Sequence, residues 1–213
     1  MKYRVIGLLA ASALLGGVFQ GGAAEKVART YAEREAFIKQ FHRIPLNTTP
    51  GDAMLLRILA RASKAKRGVE VGSATGYGAI NMGLAFEANG GRLYTIDIDP
   101  DMVRKCRENV RKMGLEKTVT VIEGDALKVL PRLEGMYDFV FIDAVKRDYF
   151  KYFKAIEPKL TKGAVIVADN VIRSARQMQD FLSYFKGNED YEMVIVRASM
   201  EKHDGMAVIY KLR

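Results

Sequence analysis

The strongest constraint on the fold is an alternation, beginning after Arg67, of short apolar runs with segments of helical periodicity. Strands are predicted at 68–72, 92–97, 118–122, 137–142 and 164–168, with two more near 191–197 and 205–211. Helices are predicted between them at 76–88, 100–113, 126–133, 147–159 and 174–186. Because strands separated by helices are joined by right-handed crossovers, we expect an α/β fold whose mostly parallel sheet carries helices on both faces.

The last two predicted strands are joined by a short polar segment, 198–204, which is too short for a crossover. They should pair as a hairpin, so one of the seven strands runs antiparallel to the others. Two further helices are predicted earlier in the chain, from 25 to 42 and from 51 to 65. With 213 residues, 49% of them hydrophobic, the chain has material for one core, and residues 25–213 are interpreted as a single domain.

The first 24 residues have a different character from the rest of the chain. Lys2 and Arg4 precede an uncharged run, 5–24, that ends in the small residues Gly22-Ala23-Ala24. This pattern is typical of a signal peptide cleaved after Ala24, which would export the protein to the periplasm or beyond the cell. The same run is long enough to span a bilayer, so a membrane anchor through residues 5–24 is the alternative.

The cations of this chain show no concentration that would indicate a nucleic-acid surface. The formal charge is +9, but lysines and arginines are interspersed with carboxylates and no basic tract contains aromatic residues. No nucleic-acid partner is therefore expected. Cys106 is the only cysteine, and neither His42 nor His203 lies in a zinc-ligand pattern, so neither is assigned to a metal.

Open parallel sheets bind ligands at the carboxyl ends of their strands, and a glycine-rich turn follows the first predicted strand. The pattern is Glu70-x-Gly72-x-x-x-Gly76-x-Gly78, which differs from the spacing of a dinucleotide-binding turn. The second strand ends at Asp97, some 20 residues beyond the glycines, where a carboxylate can bind both hydroxyls of a ribose. We therefore expect a nucleoside ligand here, with Asp99 capping the next helix.

Polar residues also follow the third, fourth and fifth predicted strands. Asp125 and Ala126 are placed to border an adenine ring, although Asp125 is equally suited to cap a helix. Asp143 ends the fourth strand, and Asp169 and Asn170 end the fifth. Two carboxylates and an amide oxygen form a ligand set that suits Mg²⁺ or Ca²⁺, whereas each acid alone is more often a helix cap.

Four stretches together resemble the cation-dependent O-methyltransferases of the catechol and caffeoyl-coenzyme A class, over about residues 44–213. They are Val69-Glu70-Val71-Gly72-Ser73-Ala74-Thr75-Gly76-Tyr77-Gly78, Thr95-Ile96-Asp97-Ile98-Asp99-Pro100, Phe141-Ile142-Asp143-Ala144-Val145-Lys146-Arg147-Asp148-Tyr149 and Ala168-Asp169-Asn170-Val171. The first two are typical of class I methyltransferases in general, which have a Rossmann-like fold. The last two resemble the cation-dependent branch.

The resemblance implies that the chain binds S-adenosyl-L-methionine and a divalent cation, Mg²⁺ or another, and that it forms a homodimer through its N-terminal helices. The implied metal ligands are Asp143, Asp169 and Asn170. The implied donor contacts are Thr49, Glu70, Gly72, Ser73, Ala74, Gly76, Gly78, Asp97, Ile98, Asp125, Ala126 and Asp143.

The resemblance also implies a reaction, the O-methylation of a small phenolic substrate with vicinal hydroxyls. Lys146 matches the general base, and Asp143 lies beside it in the catalytic set. Burial and a neighbouring divalent cation both favour the neutral form of a lysine, which can then take a hydroxyl proton. The metal would chelate both substrate oxygens and orient the oxyanion toward the methyl group.

The chain departs from the family pattern at Gly78, where many relatives have serine, and Ala144 and Val145 stand where catechol-specific members have aromatic residues. Two other functions are therefore considered. The net charge and Lys146 are compatible with a methyltransferase acting on RNA ribose. The leader is compatible with a non-catalytic exported binding protein, since S-adenosylmethionine is made in the cytoplasm.

Overall fold

A computed structural model describes residues 27–28 and 30–213 of the chain. The predicted leader, residues 1–24, lies outside the described residues. Within the part that the structure describes, none of the helices combines the length and the apolar character needed to span a lipid bilayer.

The described chain forms seven strands and seven α-helices, supplemented by short 3-10 turns at 130–132, 146–148, 157–159 and 175–178. The strands are β1 (Arg67–Val71), β2 (Arg92–Asp97), β3 (Val119–Glu123), β4 (Tyr137–Ile142), β5 (Leu160–Ala168), β6 (Tyr191–Val196) and β7 (Met206–Lys211). The helices are α1 (Tyr31–Gln40), α2 (Pro50–Ala62), α3 (Tyr77–Asn89), α4 (Pro100–Lys112), α5 (Ala126–Val129), α6 (Tyr149–Ile156) and α7 (Gln179–Phe185).

All seven strands form one sheet in the order β3-β2-β1-β4-β5-β7-β6. Strands β1 to β5 pair in parallel, and β7 runs antiparallel to both β5 and β6. The α/β fold with one antiparallel strand is therefore confirmed. The strand order reverses between β1 and β4, and at such a reversal the loops diverge and leave a crevice at the carboxyl ends of the strands.

Hydrophobic residues cover both faces of this sheet. One core lies between the sheet and helices α5, α6 and α7, and includes an aromatic group around Phe153 and Phe181. The other lies against helices α2, α3 and α4 and contains Phe86 and Phe139. Because both faces are buried, the central strands read as continuous apolar runs, for example Phe139-Val140-Phe141-Ile142.

Several predicted helices are shorter in the structure than in the sequence pattern. The helix expected from 25 to 42 spans Tyr31–Gln40, because Thr30 and Glu33 form a capping box and Phe41 is extended. The helix expected at 147–159 is divided into a 3-10 turn, α6 and a second 3-10 turn. The strand expected at 164–168 begins earlier, at Leu160, because its pairing with β4 resumes beyond an irregularity.

The N-cap roles considered for the aspartates are present. Asp99 accepts hydrogen bonds from the backbone amides of Asp101 and Met102, at the start of α4. Asp125 accepts one from the amide of Leu127 and caps α5. Both residues nonetheless lie at the carboxyl edge of the sheet, and both line the cavity described next.

Candidate active site

A cavity of about 710 Å³ opens at the carboxyl ends of β1, β2, β4 and β5. Its size is in the range that encloses a nucleoside-sized ligand with a small second molecule. Eight of the predicted donor contacts line it, namely Thr49, Gly72, Ala74, Asp97, Ile98, Asp125, Ala126 and Asp143. Lys146, Asp169 and Asn170 line the same cavity, so they share it with these eight predicted donor contacts.

The turn after β1 forms one wall of the cavity. Gly72 has φ +95°, and a Cβ placed there would lie 2.1 Å from the carbonyl oxygen of Asp143. No other residue fits at this position, because the turn passes directly against the end of β4. Ala74 also has a positive φ, +43°, which directs the backbone toward β2.

Asp97 is held in place by backbone amides on either side of its carboxylate. The amide of Ala74 donates to Oδ2 at 2.8 Å, and the amide of Asp99 donates to Oδ1 at 3.0 Å. The side chain is half-buried at the end of β2 and faces the cavity. It retains lone pairs that a ribose diol can use, as the sequence predicts.

Four predicted donor residues, Glu70, Ser73, Gly76 and Gly78, are buried outside the lining of the cavity. Glu70 accepts a hydrogen bond from the hydroxyl of Thr95, and burial raises the pKa of its carboxyl to about 8. A Cβ on Gly78 would lie 2.5 Å from Oε1 of Glu70. The departure from serine at this position therefore leaves room for the Glu70 side chain.

Lys146 lies at the other side of the cavity, in the 3-10 turn that follows β4. Its ammonium donates to Oδ1 of Asp143 at 2.7 Å and to the hydroxyl of Tyr149 at 2.9 Å. Tyr149 in turn donates to the backbone carbonyl of Asp169 at 3.1 Å. Burial, together with the charges of Asp143 and Asp169, raises the pKa of Tyr149 well above its usual value, so it remains a neutral hydrogen-bond partner.

Asp169 has a partner that the sequence pattern does not predict. The ammonium of Lys202 donates to both of its carboxylate oxygens, at 2.7 and 2.6 Å, and lies 2.8 Å from Oδ2 of Asp52. Burial and the charge of Asp143 raise the pKa of Asp169 to about 6. Burial lowers the pKa of Lys202, but its contacts with Asp169 and Asp52 outweigh burial and raise it.

Asn170 is fixed by the loop between β6 and β7. It has φ +60°, and its amide Nδ2 donates to Oδ2 of Asp204 at 3.2 Å. The buried Asp204 carboxylate also accepts from the amides of Ile172, Arg173 and Gly205. The loop that carries Asp204 thus positions the end of β5.

The predicted metal ligands are brought together, but their contacts do not fit a divalent cation. Lys202 occupies both oxygens of Asp169, and Lys146 occupies one oxygen of Asp143. The assignment of a cation to Asp143, Asp169 and Asn170 is therefore not supported by this arrangement, because an ammonium lies where the metal would bind.

Sequence reasoning missed Lys202, Asp52 and the structural role of Asp204. Asp52 lies in the first turn of α2, and Lys202 lies in the hairpin connection. No spacing relates them to each other or to Asp169, since 117 and 33 residues separate the three positions along the chain. The sequence offers one indication of their role: Lys202 and Asp204 lie in a short connection next to the edge of the sheet where a ligand is predicted to bind.

Comparison with known proteins identifies a family that matches this sequence. A family model described as O-methyltransferase matches residues 24–181. A catechol O-methyltransferase of Niastella koreensis is 31% identical over 180 residues, which are 76% of this chain and 81% of that protein. A catechol O-methyltransferase of Mycobacterium tuberculosis is 31% identical over 168 residues, covering 77% and 72% of the two chains.

Solved structures of O-methyltransferases have the same fold as this chain. The O-methyltransferase TomG of Streptomyces achromogenes, involved in tomaymycin synthesis and solved in complex with SAM, superposes with a TM-score of 0.75. It is 25% identical in sequence, and the match covers 85% of this chain and 89% of TomG.

Proposed function

This chain belongs to the O-methyltransferase family, as a SAM-dependent enzyme of the catechol and caffeoyl-coenzyme A type, and from that premise we propose that it methylates a small phenol with vicinal hydroxyls. Lys146 is the proposed general base. The observation that supports this role is its position on the cavity wall, 2.7 Å from Asp143.

The donor side of the cavity fits S-adenosylmethionine in shape and in chemistry. Gly72 and Ala74 bring backbone close to the ligand space, Asp97 offers a carboxylate for the ribose, and Ile98 offers an apolar surface for the adenine. Asp125 and Ala126 complete this wall. When bound, S-adenosylmethionine supplies an electrophilic methyl group on a positively charged sulfur.

The acceptor side combines apolar surface with polar groups. Leu46 and Val145 line the cavity although they are 68% and 47% exposed, and a phenolic ring would cover both. Lys146 and Asn170 stand at neighbouring strand ends on the same wall. One hydroxyl of a vicinal pair can therefore meet the lysine while the other meets the amide.

The proposed reaction uses this arrangement as follows. As the proposed general base, Lys146 accepts the hydroxyl proton at Nζ in its deprotonated form, and Asp143 and Tyr149 hold the side chain in place. The substrate oxygen forms a bond to the methyl carbon, the carbon–sulfur bond breaks, and its electron pair stays on sulfur. The resemblance also implies a divalent cation, but because Lys202 lies on Asp169, no step is assigned to a metal.

Methyl transfer from labelled donor tests this proposal. Wild type should methylate catechol faster than its 1,4-dihydroxy isomer, and Lys146→Met should lower kcat by a factor of about 100 or more with catechol. Lys151→Met is the control, because Lys151 is an exposed lysine paired with Asp148 outside the cavity lining. Equal rates for wild type and Lys146→Met would remove the lysine from the mechanism.

A further inference from the structure

Lys202 places a permanent positive charge at the position where related enzymes are expected to use a metal. Its ammonium donates to both oxygens of Asp169 and also lies within 2.8 Å of Asp52. The side chain of Lys202 is 16% exposed, whereas those of Asp52 and Asp169 are 1% and 2% exposed. Two carboxylates that have almost no access to water thus share one ammonium as their counter-ion.

The burial of these acids makes a counter-ion necessary. A buried carboxylate is strongly destabilised unless a positive charge or hydrogen-bond donors compensate it. Asp52 receives one hydrogen bond, from Thr49 to Oδ2 at 2.8 Å, and its Oδ1 has no hydrogen-bond partner among the described residues. Asp169 also accepts from the backbone amide of Asn170 at 2.6 Å, and the ammonium of Lys202 is the positive charge that contacts both carboxylates.

A divalent cation cannot share this position with Lys202. A metal bound to Asp169 would take a carboxylate oxygen that already accepts from the ammonium, so it would either displace Lys202 or lie directly beside it. The two cations would also lie within a few ångströms of each other in a buried site, where repulsion between like charges is weakly screened.

Building on the proposed function, we propose that Lys202 replaces the divalent cation of this site, so that the enzyme transfers methyl groups without a bound metal. Its ammonium neutralises Asp169 and Asp52 and supplies the positive potential next to which the substrate oxyanion forms. Lys202 reaches this position from the connection between β6 and β7, and it lines the cavity beside Lys146 and Asn170.

Metal binding tests this proposal without donor or substrate. The full protein is titrated with Mn²⁺, and free Mn²⁺ is measured by electron paramagnetic resonance. Wild type should show no saturable binding up to about 1 mM. Lys202→Met, which keeps the apolar stem and removes the charge, should gain one Mn²⁺ site, and the second substitution Asp169→Asn should abolish it. Lys151→Met should behave like wild type.

Activity provides the second measurement. The wild-type rate with catechol should change less than about twofold between excess chelator and Mg²⁺, while Lys202→Met should lose about 100-fold in chelator and recover in part with Mg²⁺. A single Mn²⁺ bound by wild type and lost in Asp169→Asn would overturn the proposal. So would a folded Lys202→Met that gains no Mn²⁺ site.

The outcomes separate this inference from the proposed function. If Lys202→Met does not fold, the wild-type titration decides alone, because a metal held by Asp169 contradicts the proposal and its absence supports it. If wild type methylates neither phenol, the proposed substrate class is wrong, and the Mn²⁺ titration still decides the role of Lys202.

Discussion

At the scale of single residues, Glu70 illustrates how burial changes the chemistry of a motif residue. The side chain begins the glycine-rich motif, yet it is 1% exposed and contacts Thr95 and the backbone of α3 rather than the cavity. Burial raises its pKa to about 8, and the charges of Asp143 and Asp97 act in the same direction. The acid therefore holds its proton at neutral pH.

A stability prediction follows from this protonation. Because the folded pKa is above the usual value of 4.5, Glu70 favours the folded state at low pH, and this contribution is lost as the pH rises from about 4.5 to about 8. Glu70→Gln keeps a neutral side chain at every pH. Its free energy of unfolding relative to wild type should therefore increase over that range, by up to about 1.4 kcal/mol per pH unit, and its Tm should rise relative to wild type accordingly.

Thermal unfolding at pH 5, 6, 7 and 8 measures this difference. Glu116→Gln, at an exposed position, is the control and should follow wild type at every pH. A constant difference between Glu70→Gln and wild type would mean that Glu70 is ionised throughout.

Three of the predicted site residues that line the cavity share a simple property. Asp97 is the last residue of β2, and Asp143 and Asp169 directly follow β4 and β5, so parallel topology alone brings all three to one edge of the sheet. Lys202 and Asp52 could not be identified in this way, since their positions depend on loop conformation and on how α2 packs. The sequence also does not explain the glycine at position 78, because the space that excludes a larger residue there is filled by the side chain of Glu70.

At the scale of elements, the connection between β6 and β7 contributes more than a hairpin link. The short polar sequence of this connection predicts the hairpin of β6 and β7 correctly. It does not predict that the connection packs against the end of β5. Three hydrogen bonds to Asp204, from the backbone amides of Ile172 and Arg173 and from the side chain of Asn170, determine that packing, and the amide of Gly205 adds a local fourth. Burial alone would raise the pKa of Asp204, but these donors outweigh it and lower the pKa.

Asp204→Asn should destabilise the fold, because an amide offers one acceptor oxygen where a carboxylate offers two. We expect a loss of about 2 kcal/mol in the free energy of unfolding, or a Tm lower by about 5 °C. Since the folded pKa is lowered, the carboxylate stabilises the fold above its usual pKa near 3.9, and this stabilisation disappears as the pH falls through the folded value. The Tm difference should therefore shrink toward pH 3.

Calorimetry at pH 7 and pH 3 tests this expectation, with the exposed Asp101→Asn as the control. A Tm difference that grows as the pH falls would contradict the lowered pKa of Asp204.

At the scale of the whole molecule, sequence periodicity predicts the parallel strands and the single antiparallel one, but not the strand order. The order depends on contacts between distant segments, such as the pairing of β1 with β4. The predicted homodimer also belongs to this scale. Helix α1 has no fully buried residue, and Tyr31, Met54 and Ile58 are 74%, 44% and 55% exposed.

A dimer through these N-terminal helices would cover that apolar surface. Light scattering during size exclusion should give about twice the mass of one chain. Ile58→Asp should reduce it to a single chain, because a charge would then be buried in the interface, while the exposed Lys151→Met should leave it unchanged. Wild type eluting as a monomer at micromolar concentration would exclude this interface.

The contact of Lys202 with Asp52 has a consequence for the biogenesis of the enzyme. It joins α2 to the connection between β6 and β7, two segments whose contacting residues lie 150 positions apart in the sequence. A nascent or C-terminally truncated chain can contain every strand-end aspartate and still leave Asp52 and Asp169 without their counter-ion. The proposed role of Lys202 therefore requires that α2 and the connection between β6 and β7 have both folded.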